Sequence, residues 1–107
     1  MSKDFTAIYK ILKFLDRNAG NEDCNMQMIS AEELNMGEAK WEQLMIALQE
    51  DGYIKGLVYS QGLDDKFPHI AEPIRPRITL KGMEFLEENG KMKKAANFVN
   101  GFIDLVK

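Results

Sequence analysis

Between Ser30 and Leu80 the chain reads SAEELNMGEAKWEQLMIALQEDGYIKGLVYSQGLDDKFPHIAEPIRPRITL. Within it, the segment 38–51 carries apolar residues at the i, i+3, i+4 and i+7 positions of one amphipathic helix face. These residues are Trp41, Leu44, Met45 and Leu48. Gly52 follows at once and is typical of the left-handed residue that ends a helix. The pattern predicts a helix over residues 38–51 that docks through its tryptophan-bearing side.

A shorter helix is predicted just before it. Ser30-Ala31-Glu32-Glu33 matches a capping box, in which the serine hydroxyl accepts a first-turn amide and Glu33 reaches back. The turn residues Asn35-Met36-Gly37 then interrupt this helix. Two helices joined by a short glycine-containing turn are typical of a helix-turn-helix, which here covers residues 30–51.

A hairpin over residues 53–80 follows the turn motif. Its predicted strands are Tyr53–Ser60 and Arg75–Leu80, and Pro76, which has no amide proton, suits an outer strand. The loop between the strands is too long for a tight turn and is the predicted wing. Three of its side chains are apolar enough that we expect the loop to fold back on the body: Leu63, Phe67 and Ile70.

The flanking segments complete the architecture. Lys3–Arg17 is predicted to be a helix so apolar that it is buried on more than one side. A polar loop, 18–25, leads to Met26–Ile29, a candidate third strand. Thr79 is the predicted N-cap of a helix at 80–89 that stops at Asn89-Gly90, and a last helix is predicted at 91–107. Three residues of the first of these helices are expected to face inward: Leu80, Met83 and Leu86.

Together these elements predict an α+β fold, a winged helix-turn-helix forming one domain over residues 1–107. It has a three-helix core, a two- or three-stranded antiparallel wing sheet and an extra C-terminal helix.

Composition narrows the class of protein. The chain has 107 residues, 45% hydrophobic and 29% charged, as is ordinary for a soluble globular domain. It shows no apolar run long enough to span a bilayer and no signal peptide, so we expect no membrane association. The single cysteine, Cys24, cannot form an internal disulfide and fits a reducing cytoplasm. With one cysteine and one histidine, a Cys/His zinc site from this chain is out of reach, and we expect no metal or cofactor.

Charge is distributed unevenly along the chain. The net charge is −3, and positions 18–51 hold a single lysine among eight carboxylates. DNA-binding proteins gain much of their affinity by neutralising phosphates with lysine and arginine. The predicted helix-turn-helix is therefore the most acidic part of the chain, which argues against tight DNA binding.

Two blocks carry a family resemblance. W-E-x-L-x-x-A-L-Q-E-D-G-Y-I-K-G at 41–56 and I-T-L-K-G-M-E-F-L-E-E-N at 78–89 resemble the YjcQ-like family of small bacterial and prophage-associated winged-helix proteins. The resemblance covers nearly the whole chain. It implies a winged-helix fold and supplies no catalytic residues to carry over. By fold analogy it implies a DNA-binding regulator, of prophage origin.

The first functional hypothesis is double-stranded DNA binding by this regulator. In such folds the second helix of the turn motif enters the major groove, so its outward residues, Ile46 among them, would face DNA. Gln43 could read adenine edges. Weak affinity led by the arginines is expected. The candidate contact residues are Lys40, Gln43, Lys55, Arg75 and Arg77.

The alternative is a protein-interaction module that keeps the winged-helix frame without binding nucleic acid. Its acidic helices motivate it, because their field repels DNA. Ile46, Leu63 and Phe67 would supply an apolar partner surface if exposed. Both hypotheses allow a homodimer through the first and last helices. Phosphate-binding glycine loops, nucleophile elbows and catalytic carboxylate pairs are missing from the sequence, so we expect no enzymatic activity and no catalytic residues.

Overall fold

The computed structural model describes the backbone of residues 3–99 and the side chains of residues 4–90. It is an α+β arrangement with three α-helices and two separate pairs of antiparallel strands, compatible with a winged-helix fold. In chain order the elements are α1 (Lys3–Arg17), a 3-10 helix (Met26–Ile29), α2 (Glu38–Glu50), β1 (Ile54–Lys55), β2 (Tyr59–Ser60), β3 (His69–Ile70), β4 (Arg77–Ile78) and α3 (Leu80–Val99).

One apolar core joins these elements. Helix α1 has the predicted bounds, and its Ile11 and Leu12 are fully buried together with Met45 of α2 and Ile54 of β1. The half-buried ring of Phe85 in α3 lies between Phe5 and Tyr53, at centroid distances of 5.3 and 5.5 Å. Helices α1 and α2 and the strand pair formed by β1 and β4 therefore enclose one apolar core, and α3 packs along one side of it.

The predicted end of α2 is confirmed. Gly52 adopts the left-handed φ of +87°, and the amide of Tyr53 donates back to the carbonyl of Leu48 at 2.9 Å. This turn leads the chain directly into β1, which is why Ile54 is buried in the core so soon after Leu48.

The short helix predicted at 30–35 is wrong: the segment forms a single hydrogen-bonded turn. Its serine cap is confirmed, because Ser30 Oγ accepts the amide of Glu33 at 3.2 Å. Asn35 then takes a positive φ of 55° and closes the turn after five residues. A helix this short does not recover its nucleation cost, and burial of Ala31 and Leu34 holds the turn in place.

The predicted third strand at 26–29 is also wrong, because this segment is the 3-10 helix. The side-chain oxygen of Asn25 caps it by accepting the amide of Gln27 at 3.1 Å. Asparagine offers the backbone this local alternative to strand pairing. Ile29 still enters the core.

The hairpin exists, but its strands are much shorter than predicted. β1 pairs with β4 through Ile54–Ile78 and Lys55–Arg77, and β2 pairs with β3 through Tyr59–Ile70 and Ser60–His69. Gly56, at a φ of +98°, bends the first strand between the two ladders. The returning strand contains prolines at positions 73 and 76, which have no amide proton to pair.

The predicted break at Asn89-Gly90 is absent, and α3 runs continuously from Leu80 to Val99. Asn89 remains in the helix, and its side-chain amide donates to the carbonyl of Phe85 at 2.8 Å. A glycine within a helix costs only about 1 kcal/mol relative to alanine, so Gly90 alone does not stop it. Positions 100–107 of the predicted last helix lie outside the described residues. No helix in the described part of the chain is long and apolar enough to cross a bilayer.

The start of α3 is only partly as predicted. The N-cap is confirmed, because Thr79 Oγ1 accepts the amide of Gly82 at 3.0 Å. The inward orientation is correct for Leu86, which is buried, and wrong for Leu80 and Met83, which are 83% and 39% exposed. The helix contacts β4 and α1 through its other side, so these two residues remain on the surface.

Candidate functional site

The outward side of α2 is covered by the wing. Ile46, predicted to face outward, is only 3% exposed. Next to it the Glu42 carboxylate accepts the backbone amide of Ile70 at 2.8 Å, and its other oxygen lies 2.9 Å from His69 Nδ1. Strand β3 is thus fixed across the middle of α2 by one carboxylate.

Two glutamines extend this contact along the helix. Gln43 donates its side-chain amide to the carbonyl of Pro68 at 3.0 Å. Gln49 holds both backbone groups of Leu57, accepting its amide at 2.7 Å and donating to its carbonyl at 3.0 Å. We call the surface formed by Glu42, Gln43, Ile46 and Gln49 the closed face of α2, because every one of these side chains contacts the hairpin or lies buried.

The surroundings of two side chains at this contact, Glu42 and Tyr59, shift their pKa values. The backbone amide of Ile70, with a smaller contribution from His69, lowers the pKa of Glu42 below its ordinary value, although partial burial acts in the opposite direction. At the far end, Tyr59 lies with its hydroxyl 3.5 Å from Glu50. Desolvation, followed by the negative charge of Glu50, raises the pKa of Tyr59. Glu42 therefore accepts the Ile70 amide as a carboxylate.

We expect Glu42→Gln to loosen the wing at neutral pH by roughly 1 kcal/mol, the difference between a charge-assisted and a neutral hydrogen bond. Because the pKa of Glu42 is lowered on folding, its stabilisation is present above pH 4.5 and is lost as the pH falls below that value. Amide hydrogen exchange at Ile70 measures this opening. Its protection should fall with acid in the wild type and change less in the variant.

Glu38→Gln is the matched control, since Glu38 lies in the same helix and is exposed. Equal loss of Ile70 protection in the two variants would contradict the assigned role of Glu42.

A second site lies on the other side of the hairpin. It is a groove of about 630 Å³ with three cationic side chains in its lining, Lys55, Arg75 and Arg77. Lys55 and Arg77 are register partners in β1 and β4, so the ladder itself places them side by side. Arg75 reaches across to the loop, where its guanidinium donates to the carbonyl of Glu22 at 3.4 Å. We call this the basic groove.

The rest of the basic groove is of mixed character. Apolar side chains from four elements or their flanks line it: Leu15, Met26, Ile78 and Met83. The loop 18–24 forms the facing wall and contributes the two acids Glu22 and Asp23 and the half-buried Cys24. The groove thus combines an apolar lining with three cations, and two carboxylates partly compensate their positive charge.

The five predicted contact residues therefore fall in three places. Lys55, Arg75 and Arg77 meet in the basic groove. Gln43 lies on the closed face of α2, hydrogen-bonded to Pro68. Lys40 lies in the first turn of α2 and forms an ion pair with Asp4 of α1 at 2.9 Å. The loop 18–24 was missed as a site because no local motif marks it, and more than 30 positions separate it from the cations.

The end of the hairpin, residues 61–68, is a defined turn that we call the wing tip. Asp65 orders it by accepting the amide of Gly62 at 2.9 Å and the side-chain amide of Gln61 at 2.8 Å. The prediction that the loop folds back is correct for Ile70, which is half-buried, but wrong for Leu63 and Phe67. Leu63 is fully exposed and Phe67 is 60% exposed.

Among the described side chains, no three His, Cys, Asp or Glu residues cluster in a way that could hold an ion. His69 has Glu42 at 2.9 Å and Asp65 at 4.0 Å, which makes it a contact between wing and helix.

Comparison with known proteins places the chain in a family. The YjcQ protein family model matches residues 9–104. The uncharacterized protein YjcQ of Bacillus subtilis (strain 168) is 32% identical over 79 residues, which cover 74% of this chain and 79% of that protein. No solved structure matches significantly. The family match extends from within α1 across the helix-turn-helix region, the hairpin and the whole of α3, and the chain belongs to the YjcQ family.

Proposed function

We propose that this protein is a non-enzymatic protein-interaction module that keeps a winged-helix frame and uses its wing tip to bind other proteins. The observation that carries the proposal is the closed face of α2. A helix reads bases through free polar side chains in the major groove. Here Glu42, Gln43 and Gln49 are hydrogen-bonded to the hairpin.

The wing tip supports the second half of the proposal. Its backbone is ordered by its own hydrogen bonds, so a partner would bind a preformed shape and pay little ordering entropy. Leu63 and Phe67 are both exposed in this turn, and exposed apolar side chains that form a patch often mark binding sites. The acidic character of residues 18–51 further favours a protein over DNA.

The test compares partner capture by the wild type and by a Leu63→Ser/Phe67→Ser variant. Both side chains are exposed, so the substitutions should leave the fold intact, which far-UV circular dichroism checks. Tagged protein is incubated with extract of its source cell, and each captured protein is identified, purified and tested again for direct binding. We expect at least one direct partner whose affinity falls tenfold or more in the variant.

Met28→Ser is the control, because Met28 is 54% exposed and lies outside the wing. Capture that responds equally to the wing-tip and Met28 substitutions, or no direct partner at all, would refute the proposal.

A second candidate is DNA binding through the basic groove, favoured by the meeting of Lys55, Arg75 and Arg77 on one surface. Such contacts reach phosphates and carry no base readout. Fluorescence anisotropy on short mixed-sequence duplexes at low salt tests it. If the protein binds, and Arg75→Glu/Arg77→Glu abolishes binding while Lys10→Glu on the exposed side of α1 does not, this candidate prevails.

A further inference from the structure

We propose that the wing tip of one copy of this chain docks into the basic groove of a second copy. The inference rests on the proposed function and names its partner. The two surfaces differ and belong to the same chain, so a contact that is not reciprocated across a two-fold axis is heterologous, that is, head to tail.

The wing tip supplies an apolar projection with a negative neighbour. Leu63 is fully exposed, and Asp64 follows it directly at the end of the turn. Phe67 adds a second exposed apolar side chain. Lys66 and Asp65 are also in this turn, and one Asp65 oxygen is engaged by the Gly62 amide, so Asp64 is the carboxylate best placed to face a partner.

The basic groove has the complementary properties. Its volume of about 630 Å³ accommodates a leucine and an adjoining backbone turn, and its apolar lining includes Met83, an exposed side chain of α3. The three cations of its lining would attract Asp64, although Arg75 already donates to the Glu22 carbonyl, whereas the Glu22 and Asp23 carboxylates on the loop wall would repel it. The tip should therefore enter along the strand wall that carries Lys55 and Arg77.

The groove of the same copy is not filled by its own tip, because the Leu63 side chain is fully exposed. When the tip enters the groove of a second copy, two favourable changes occur together. Burial of Leu63 removes apolar surface from water, and Asp64 approaches the cations. A contact of this limited extent is weak and depends on concentration and salt.

Sedimentation velocity over a wide range of protein concentration tests the proposal. We expect the mean mass of the wild type to rise with concentration and to fall again at high salt. Leu63→Ser (tip) and Arg77→Glu (groove) should each lower the association constant at least tenfold. Met28→Ser and Lys10→Glu, which alter exposed side chains away from both surfaces, should change it less than twofold.

Mixing the two impaired variants identifies the geometry. Leu63→Ser keeps an intact groove and Arg77→Glu keeps an intact tip, so an equimolar mixture should form a dimer and nothing larger. A symmetric dimer built on other surfaces, such as the first and last helices, would give no such complementation. Circular dichroism confirms that each variant is folded.

A wild type that stays monomeric at the highest concentration overturns the inference. So does association that is unchanged by both substitutions, which would instead fit a homodimer through the first and last helices. If self-association fails while tip-dependent capture of another protein persists, the proposed function stands and only its assignment to a second copy falls.

Discussion

Trp41→Ala is expected to lower the free energy of unfolding by about 3–5 kcal/mol, the usual cost of removing a buried tryptophan. The indole of Trp41 is 7% exposed and belongs to the main apolar core. Its Nε1 also donates to the carbonyl of Ile29 at 2.9 Å and so attaches the 3-10 helix to α2. Chemical denaturation followed by circular dichroism measures the change.

Trp41→Phe separates the two contributions. Phenylalanine keeps most of the apolar contact but leaves the buried carbonyl of Ile29 without its donor, which costs roughly 1–3 kcal/mol. Equal stability of the phenylalanine variant and the wild type would show that the hydrogen bond contributes nothing. A small effect of alanine would contradict the burial of Trp41 itself.

Gly82→Ala is expected to destabilise the protein by about 3 kcal/mol, the upper part of the range for overpacking a well-filled site. A Cβ at this position would collide with the carbonyl oxygen of Tyr53 and lie 2.6 Å from Ile78 Cγ1. The Tyr53 carbonyl is held by the amide of Thr79 at 3.2 Å, so it cannot move aside freely. Thermal and denaturant unfolding both report this loss.

Gly90→Ala is the matched control in the same helix. Among the described side chains, its Cβ would meet the hydroxyl of Tyr9, at an ordinary 3.6 Å. Removing a helical glycine without a clash stabilises by up to about 1 kcal/mol. The two variants should therefore change stability in opposite directions. Equal effects would mean that Gly82 of α3 does not pack against Tyr53 and Ile78 as closely as described.

Periodicity predicted the parts of the fold that many residues specify together. Helix α1 has its expected bounds, and α2 ends at Glu50, one residue before the predicted last position and shortly before the predicted glycine. The short elements were less predictable because single local bonds determine them. The Asn25 cap turns 26–29 into a 3-10 helix, and Gly56 divides one hairpin into two ladders.

The functional sites could likewise be predicted only in part from the sequence. Pairing across the ladder places Lys55 beside Arg77, and Arg75, two residues before β4 begins, lines the same groove. The apolar stripe of α2 shows which residues do not face the core, but it does not show what covers them. The one available signal was Ile46, an apolar residue among the polar outward positions, and it is buried.

The two hydrogen bonds between the Gln49 side chain and the backbone of Leu57 have a consequence for aggregation. An unpaired amide and carbonyl in an extended segment invite a foreign strand to add to a sheet and seed fibrils. The Gln49 amide group occupies both positions, so Leu57 offers no backbone template beside its apolar and exposed neighbour Val58. A glutamine from the neighbouring helix thus protects this segment against the addition of a foreign strand, without a proline or a charged side chain.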